Sequence, residues 1–309
     1  MEKLFLKIAC RLNFLIHRER KVCYGEDNSR QVFYVIGIDY KTEGLFAIIK
    51  NVLIHIEYAV HKGYVPVVDM CNYSSQFNKV NKWNAWELFF KQPSGFSLDD
   101  VKTSKNVILS RNVKVWPKHS FSVEILDHHN KIRFEKLKNI YNHYIVPNNK
   151  LYEYSNNLYN EKIGGRKNVL GILCRGTDYT QKKPKNHPVQ PSFEQLVNTI
   201  DSFIKSHKVD YMYVATEEQD LLNKFLDKYG NKIIYIKQHR FGQLKANYIS
   251  DLGINAEQLV KMNMDYYSSL YILSKCDYLI AGRTAGTIGV FFMTEGFKES
   301  YCFDLGYYE

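Results

Sequence analysis

The sequence predicts an α/β protein with two domains, each built on a parallel sheet. Three observations support this prediction. Apolar segments of strand length alternate with longer amphipathic segments, which is typical of doubly wound sheets. The 309 residues suffice for two domains of ordinary size. A stretch rich in glycine and charge at 164–167 separates two such series, so we expect one domain over 1–164 and another over 165–309.

The first domain is predicted to begin with a strand–helix–strand unit. Residues 31–39 and 64–70 are apolar runs typical of strands, and 45–62 between them has a broad apolar helical face. Gly63 suits the C-terminal end of that helix. Two strands joined by a helix pair in parallel. The other elements predicted in this domain are one strand and two helices, at 105–110, 132–144 and 149–163.

The second domain shows a more regular alternation of short apolar runs and amphipathic segments. The predicted strands lie at 168–174, 209–215, 232–236, 277–281 and 299–303. The predicted helices lie at 192–206, 217–229, 257–274 and 284–294. Strands that alternate with helices in this way form a doubly wound parallel sheet, so this half of the chain carries the clearest fold prediction.

Composition narrows the classes of partner. The net charge of +10 and the pI of about 9.1 favour acidic partners, namely phosphorylated small molecules, an anionic membrane surface or nucleic acid. Nucleic acid is the least favoured of these, because the basic residues are scattered and no aromatic RNA-binding motif occurs. The six cysteines show no metal-ligand spacing, which fits a reduced cytoplasmic chain.

The N-terminal segment at 1–16 has the pattern of an amphipathic helix with basic residues around its apolar face. Charged residues interrupt it too often for a membrane span, and it does not resemble a signal peptide. Two interpretations stay open. The helix lies on the anionic inner face of the cytoplasmic membrane as a peripheral contact, or it packs on the protein's own core.

Three strands of the second domain end in polar turns. The turns comprise Arg175, Gly176, Thr177 and Asp178; then Thr216, Glu217 and Glu218; and finally Arg283, Thr284, Ala285 and Gly286. A guanidinium matches two phosphate oxygens, and a helix N-terminus attracts anions. Taken singly, helix capping or an arginine–carboxylate pair explains each turn. Because parallel strands end at one sheet edge, together they predict a nucleotide or nucleotide-sugar pocket facing the cleft between the domains.

Several nucleotide-binding motifs are absent from the sequence. There is no phosphate-loop lysine motif and no GxGxxG, which argues against a P-loop NTPase or a standard dinucleotide dehydrogenase. No DxD triplet occurs either, so we expect no metal ion and no cofactor besides a nucleotide-sugar donor. In a sugar transfer, Arg175, Arg283 and nearby lysines would then neutralise the leaving diphosphate.

The motifs of the second half also occur in a known family. Residues 173–178 read LCRGTD and are followed by His187-Pro188, residues 215–218 read ATEE, and residues 273–280 read LSKCDYLI. Their order and spacing resemble those of the metal-independent fucosyltransferase superfamily, which includes the core α1,6- and nodulation-factor fucosyltransferases. The resemblance implies a GT-B fold, with two Rossmann-like domains facing a cleft. It also implies inverting transfer of fucose from GDP-fucose to a glycan, in surface polysaccharide or lipid-linked oligosaccharide synthesis.

The resemblance implies roles for individual residues as well. Arg175 would bind the β-phosphate of the donor, Thr284 and its neighbours the diphosphate or the base, and Glu217 or Glu218 the nucleoside. Asp178 is our candidate for the base that deprotonates a sugar hydroxyl, because it lies next to the phosphate-binding arginine. The alternative is that Asp178 pairs with Arg175 or caps the turn.

The chain departs from the family pattern at Ser269, where the family has an acidic residue, and at three positions in the first motif and the loop after it. The histidine of the first motif is Leu173, its second arginine is Gly176, and Lys183 occupies the loop position of a glutamate. These departures concern the acceptor chemistry more than the donor pocket. Two alternatives therefore stay open, which are the same fold with another nucleotide-sugar donor and an inactive scaffold that binds a nucleotide sugar.

Four residues are candidates for the acceptor side. Gly44 lies in the first strand–helix loop, whereas Lys183 and His187 lie in the basic loop that follows the first polar turn. Trp86 belongs to an aromatic segment at 84–90. Aromatic faces suit sugar rings, so Trp86 either forms a wall of the acceptor site or is buried under a long loop as a packing residue.

Overall fold

The computed structural model describes residues 19–39, 43–73, 77, 83–110, 121–176, 183–242 and 254–309. The helix expected at 1–16 lies outside these residues. The chain divides into two compact units. The first comprises Met1–Phe121 with Arg133–Asn148, and the second comprises Ser122–Ile132 with Asn149–Glu309.

The first unit contains a sheet in the order β1-β4-β2-β3. Its strands are β1 (Arg20–Val22), β2 (Phe33–Ile36), β3 (Val65–Val68) and β4 (Val107–Leu109), and its helices are α1 (Leu45–His61), α2 (Leu98–Lys102) and most of α3 (Lys131–Tyr144). Strand β2 pairs in parallel with both β3 and β4, and β1 adds to β4 in the antiparallel direction.

The predicted strand–helix–strand unit is confirmed as β2, α1 and β3. Gly63 follows α1 with φ +71, a left-handed conformation that glycine adopts without steric cost. The edge strand β1 is the one strand of this sheet that the sequence did not indicate. It spans three residues and two of them are exposed, so it leaves no apolar run in the sequence.

Helix α1 is buried almost all the way round, and it carries a carboxylate into the core of the first unit. The Glu57 side chain is 1% exposed and accepts hydrogen bonds from both terminal nitrogens of Arg133 on α3. The Lys136 ammonium lies 3.1 Å from the same carboxylate. Two cations therefore compensate one buried charge, as buried carboxylates require.

The second unit is built on a five-stranded sheet in the order β7-β6-β5-β8-β9, in which every pairing is parallel. Its strands are β5 (Val169–Leu173), β6 (Tyr211–Ala215), β7 (Ile233–Ile234), β8 (Tyr278–Gly282) and β9 (Glu299–Phe303). Its helices are α4 (Asn149–Lys162), α5 (Phe193–Ser206), α6 (Gln219–Tyr229), α7 (Ala256–Leu273) and α8 (Ala285–Met293). The predicted alternation is confirmed for all these strands, although β7 is shorter than expected.

Strands β5 and β8 form the centre of this sheet, and every residue in both is buried. Helices cover both faces of a doubly wound sheet, so its central strands read as continuous apolar runs without alternation. The core cluster around them includes Leu170, Ile172 and Ile280, each with no exposed surface. The packing of these residues fixes the positions at which β5 and β8 end.

Helix α4 belongs to the second unit, although it precedes the domain boundary that the sequence indicated at 164. It packs on α7, where the Ser155 and Ser268 hydroxyls are 2.8 Å apart and the Tyr159 and Tyr271 rings meet edge to face. Over the described ranges, no helix combines the length and apolar character needed to cross a bilayer.

Candidate functional site

The strand order of the second unit contains one point where the chain reverses its direction of travel across the sheet. From β5 the chain proceeds to β6 and β7 on one side, and later to β8 and β9 on the other. The helices on either side of such a point leave a crevice outside the carboxyl ends of the two central strands. Ligands of open α/β sheets bind in that crevice, so the carboxyl ends of β5 and β8 are the candidate ligand site.

The strand register brings the three predicted turns to this edge. Leu173 of β5 pairs with Ala215 of β6 and with Ala281 of β8. The residues two positions further on, Arg175, Glu217 and Arg283, therefore leave the sheet at one level on three adjacent strands. This juxtaposition is the one that the sequence indicated.

Arg175 is held at the edge by the turn that follows β6. Its side chain is 19% exposed, and its Nε lies 3.4 Å from Oε1 of Glu217. The same carboxylate oxygen accepts a hydrogen bond from the Gly176 backbone N–H at 3.0 Å. Glu217 thus orients the guanidinium and the backbone of the β5 turn together.

Gly176 is required by the close approach of Glu218. A Cβ at position 176 would lie 1.7 Å from Oε2 of Glu218 and 2.7 Å from its Cβ. Bringing any larger residue to this position would force the acidic turn away from the β5 turn. The carboxylate of Glu218 thus lies against the position where the resembling family carries its second arginine.

We expect Gly176→Ala to lower the free energy of unfolding by about 1–3 kcal/mol, because an added carbon in a packed contact must displace its neighbours. Urea titration followed by far-UV circular dichroism measures the change. Gly44→Ala is the matched control, since nothing lies within 4 Å of its added Cβ, and we expect a loss below about 1 kcal/mol there. Equal losses for the two variants would contradict the steric assignment.

Thr216 has a different role from the helix cap that its sequence position suggested. Helix α6 begins at Gln219, and Glu218 is its N-cap residue without a capping side-chain hydrogen bond. The buried Thr216 hydroxyl instead accepts a hydrogen bond from the Glu218 backbone N–H at 3.2 Å. The side-chain amide of Gln238 donates to the Thr216 carbonyl at 3.1 Å. Thr216 therefore stabilises the acidic turn through its own hydroxyl and carbonyl oxygens.

The third turn presents a capped helix N-terminus. Thr284 is the N-cap of α8, and its hydroxyl accepts a hydrogen bond from the Thr287 backbone N–H at 3.1 Å. The Thr287 hydroxyl donates to the Gly282 carbonyl at 2.5 Å. The first turn of a helix leaves N–H groups without helical acceptors, here those of Ala285 and Gly286, and such groups favour anions. A Cβ on Gly286 would lie 2.5 Å from the Tyr266 hydroxyl, so helix packing also requires that glycine.

Arg283 lies between β8 and this helix and is mostly buried. Its Nη2 is 2.5 Å from Oδ1 of Asp127 and 3.3 Å from Oδ2 of Asp304. Its Nε is buried and has no hydrogen-bond partner in the described part of the chain. Two carboxylates therefore already compensate the charge of Arg283, whereas the Nε of Arg175 lies 3.4 Å from Glu217.

The basic loop after the first turn is only partly described. Thr177 and Asp178 lie outside the described residues, so the base assigned to Asp178 stays a prediction. Lys183 and His187 are both exposed. The loop is anchored near its end, because the Tyr308 backbone N–H donates to the His187 carbonyl at 2.9 Å.

The two acceptor-side candidates of the first unit have structural roles. Trp86 is 1% exposed, its indole N–H donates to the Lys91 carbonyl at 3.0 Å, and its ring packs on Phe90 with centroids 4.6 Å apart. The indole has no face open to a ligand, so the packing interpretation fits it. Gly44 is the N-cap residue of α1 and has open space around it, which leaves it without a steric requirement for glycine.

A cavity of about 640 Å³ opens beyond the end of β7, which the sequence had indicated only as the start of a loop. Residues from the segment after β7 and from α7 line it, among them Lys237, Gln238, His239, Glu257, Lys261 and Asp265. Asp265 is buried and accepts hydrogen bonds from the Tyr154 hydroxyl at 2.5 Å and from Lys261 at 2.6 Å. Burial, followed by the contact with Asp265, raises the pKa of Tyr154. Its phenol therefore remains protonated and a hydrogen-bond donor.

Two further observations limit the chemistry at this edge. Cys174 precedes Arg175 and is fully buried, and burial raises the pKa of its thiol well above the usual range. A protonated, inaccessible thiol is not a nucleophile. Within the ranges that the structure covers, no three His, Cys, Asp or Glu side chains lie close enough to hold a metal ion.

The sequence reasoning missed Gln190, which is buried at the same edge. Its side-chain amide donates hydrogen bonds to the carbonyl oxygens of Pro188 and Arg283, each at 3.1 Å. A single glutamine between two prolines carries no pattern that predicts such a contact. Only the fold brings it to the turn between β8 and α8.

Comparison with known proteins gives a match at the level of structure alone. No family model matches the chain. No curated protein sequence matches it either. Solved structures of the NodZ fucosyltransferase do match. The selenomethionine form from Bradyrhizobium aligns with a TM-score of 0.53 at 13% identity, over 89% of this chain and 96% of that chain.

Two liganded NodZ structures give nearly the same result. NodZ α-1,6-fucosyltransferase co-crystallised with GDP aligns with a TM-score of 0.52 at 13% identity, over 85% of this chain and 93% of that one. The structure soaked with GDP-fucose gives 0.50 at 14% identity, with the same coverage. These alignments span both units, so the predicted GT-B fold and the fold-level resemblance to fucosyltransferases are confirmed.

Proposed function

We propose that the protein is an inverting, metal-independent glycosyltransferase that uses a nucleotide-sugar donor. One observation carries the proposal. Arg175 and the N-terminus of α8 leave adjacent strands at the switch point of the parallel sheet, where open α/β sheets bind their ligands. A guanidinium and a helix N-terminus together provide the charge and the N–H donors that a diphosphate requires.

The reaction follows from what these groups stabilise. Breaking the bond between the sugar and the diphosphate leaves negative charge on the β-phosphate. Arg175 and the N–H groups at the start of α8 would stabilise that charge as it develops, which lowers the barrier without a metal ion. The acceptor hydroxyl attacks from the opposite face and loses its proton to a base, for which Asp178 is the candidate.

GDP-fucose is the favoured donor. NodZ structures were obtained with GDP and with GDP-fucose, and this chain shares their fold. The acidic turn at Glu217 and Glu218 and the cavity beyond β7 would receive the nucleoside, because they continue the same sheet edge away from Arg175. The cavity of about 640 Å³ is in the size range of small-ligand pockets. The acceptor would be a glycan or a lipid-linked glycan.

The setting we propose is the cytoplasm, with assembly of surface polysaccharide or lipid-linked oligosaccharide at the inner face of the membrane. The positive net charge supports a peripheral contact with anionic lipids. A glycan or lipid-linked glycan acceptor fits this setting.

An inactive nucleotide-sugar-binding scaffold is the second candidate. Its support is the set of departures from the family pattern in the first motif and at Lys183 in the loop after it. Leu173, in the position of the motif histidine, is 4% exposed, and Gly176 replaces the second arginine. Such a protein would retain the donor site and lack the groups that act on the acceptor.

Thermal unfolding in the presence of nucleotides separates these possibilities. We expect GDP and GDP-fucose to stabilise the protein by about 2.7 kcal/mol at a hundred times their dissociation constants, and UDP to have no effect at equal concentration. Stabilisation by UDP alone would indicate a UDP-sugar as the donor in place of GDP-fucose. Binding without hydrolysis or transfer to any glycan would favour the scaffold, and no effect of any nucleotide would contradict the proposal.

A further inference from the structure

We propose that Gln190 is a positioning residue that holds the end of the basic loop, at 188–190, at a fixed distance from the turn that opens α8. The inference rests on the proposed function, because the turn that opens α8 would bind the donor diphosphate. Gln190 is not a catalytic residue in this proposal, since its side chain contacts backbone of the protein.

The contacts of the carboxamide carry the inference. Gln190 is 5% exposed, and its Nε2 donates to the Pro188 carbonyl and to the Arg283 carbonyl, both at 3.1 Å. Pro188 ends the basic loop, and Arg283 immediately precedes the N-cap residue of α8. One nitrogen therefore ties together two backbone segments that are 95 residues apart (283 minus 188).

The end of β8 leaves room for the Gln190 carboxamide. A Cβ on Gly282 would lie 2.2 Å from Oε1 of Gln190 and 3.3 Å from Cδ of Pro191. Glycine at the end of β8 is thus what admits the glutamine. Prolines at 188 and 191 restrict the backbone on both sides of it.

The carboxamide is an unusual choice for packing alone. Its Oε1 is buried and has no hydrogen-bond partner among the described residues. A buried acceptor without a partner is unfavourable, and each such group in a native structure calls for an explanation. The two hydrogen bonds from Nε2 to backbone carbonyls oppose that cost.

The side chain of Arg283 is held by residues other than Gln190. The Arg283 side chain pairs with Asp127 and Asp304, so its backbone carbonyl and its guanidinium are fixed by different parts of the chain. The Gln190 backbone N–H also donates to the Tyr308 hydroxyl at 3.3 Å. Removing the carboxamide would leave the side-chain contacts of Arg283 in place and would release its backbone carbonyl.

Hydrogen exchange of the ligand-free protein tests the positioning directly. Gln190→Met keeps the length of the side chain and removes both hydrogen bonds. We expect amide exchange to rise about tenfold in peptides covering 183–190 and 282–287, and to stay unchanged in β5 and β6. Gly282→Ala provides a second variant, which displaces the carboxamide by steric contact and should accelerate the same peptides.

Gln195→Met is the matched control on the same segment. The Gln195 side chain accepts a hydrogen bond from the Ser192 backbone N–H in the capping box of α5, a purely structural role. We expect this variant to lower the melting temperature and to leave the dissociation constant of GDP unchanged. Gln190→Met should instead weaken GDP binding about tenfold and raise KM for the donor more than it lowers kcat.

The outcomes separate the inference from the function on which it rests. Unchanged exchange at 282–287 in both Gln190→Met and Gly282→Ala overturns the inference. So does a wild-type GDP affinity in Gln190→Met. If exchange rises as expected and the wild-type protein binds no nucleotide, the positioning role stands and the proposed function fails.

Discussion

Arg175→Ala is expected to reduce the rate of sugar transfer by about 100- to 1,000-fold, the loss typical of removing one preorganised donor to a developing negative charge. The protein should unfold at nearly the wild-type temperature. The Arg175 side chain is 19% exposed and its Nε lies 3.4 Å from Oε1 of Glu217, which is long for a charge-assisted hydrogen bond, so we expect the loss of this contact to cost little stability. Glu217 keeps its hydrogen bond from the Gly176 backbone N–H.

Two variants test the assignment of Arg175. Arg175→Lys retains the charge and loses the paired N–H donors of the guanidinium, so we expect its activity to lie between those of Arg175→Ala and the wild type. Arg166→Ala is the matched control, because Arg166 precedes β5 at the opposite edge of the sheet and stacks on Tyr211, with 4.4 Å from its Cζ to the ring centroid. Transfer at the wild-type rate by Arg175→Ala would refute the site, as would an equal loss in Arg166→Ala.

Arg133→Met is expected to lower the free energy of unfolding by about 3 kcal/mol, because removing one partner leaves a buried carboxylate poorly compensated. Glu57 would retain Lys136, whose side chain is 55% exposed and 3.1 Å away. That remaining contact explains why we expect the low end of the range for broken buried pairs. The effect concerns stability of the first unit and not the site at the second sheet.

Urea titration with circular dichroism measures this effect, and two variants give it an internal check. Lys136→Met should cost less than about 1 kcal/mol, since exposed partners contribute little. The double variant Glu57→Leu with Arg133→Met should recover most of the loss, because an apolar pair replaces a buried ion pair at little cost. A loss in the double variant as large as in Arg133→Met would contradict the charge explanation.

The sequence predicts those elements of the fold whose burial requires apolar residues. Strands β5 and β8 are covered on both faces, so they occur in the sequence as short continuous apolar runs that polar turns bound, and their ends were found almost to the residue. Strand β1 is exposed and three residues long, and no local pattern separates it from a loop. The start of α6 was placed early, because Thr216 has the chemistry of a cap and uses it within the turn.

The candidate site was predictable in its location more than in its contacts. Three polar turns at parallel strand ends must lie on one edge, so Arg175, Glu217 and Arg283 could be grouped from the sequence. Their partners could not. Asp127 lies 156 residues from Arg283, and no periodicity links the two. Gln190 was missed for the same reason.

The contact between Gly176 and Glu218 also constrains how this sequence can change over generations. A mutation that introduced arginine at position 176 would meet the Glu218 side chain, because even a Cβ there lies 1.7 Å from its carboxylate. Side chains at the two positions compete for one space, so we expect the cost of a larger residue at 176 to fall when residue 218 is shortened.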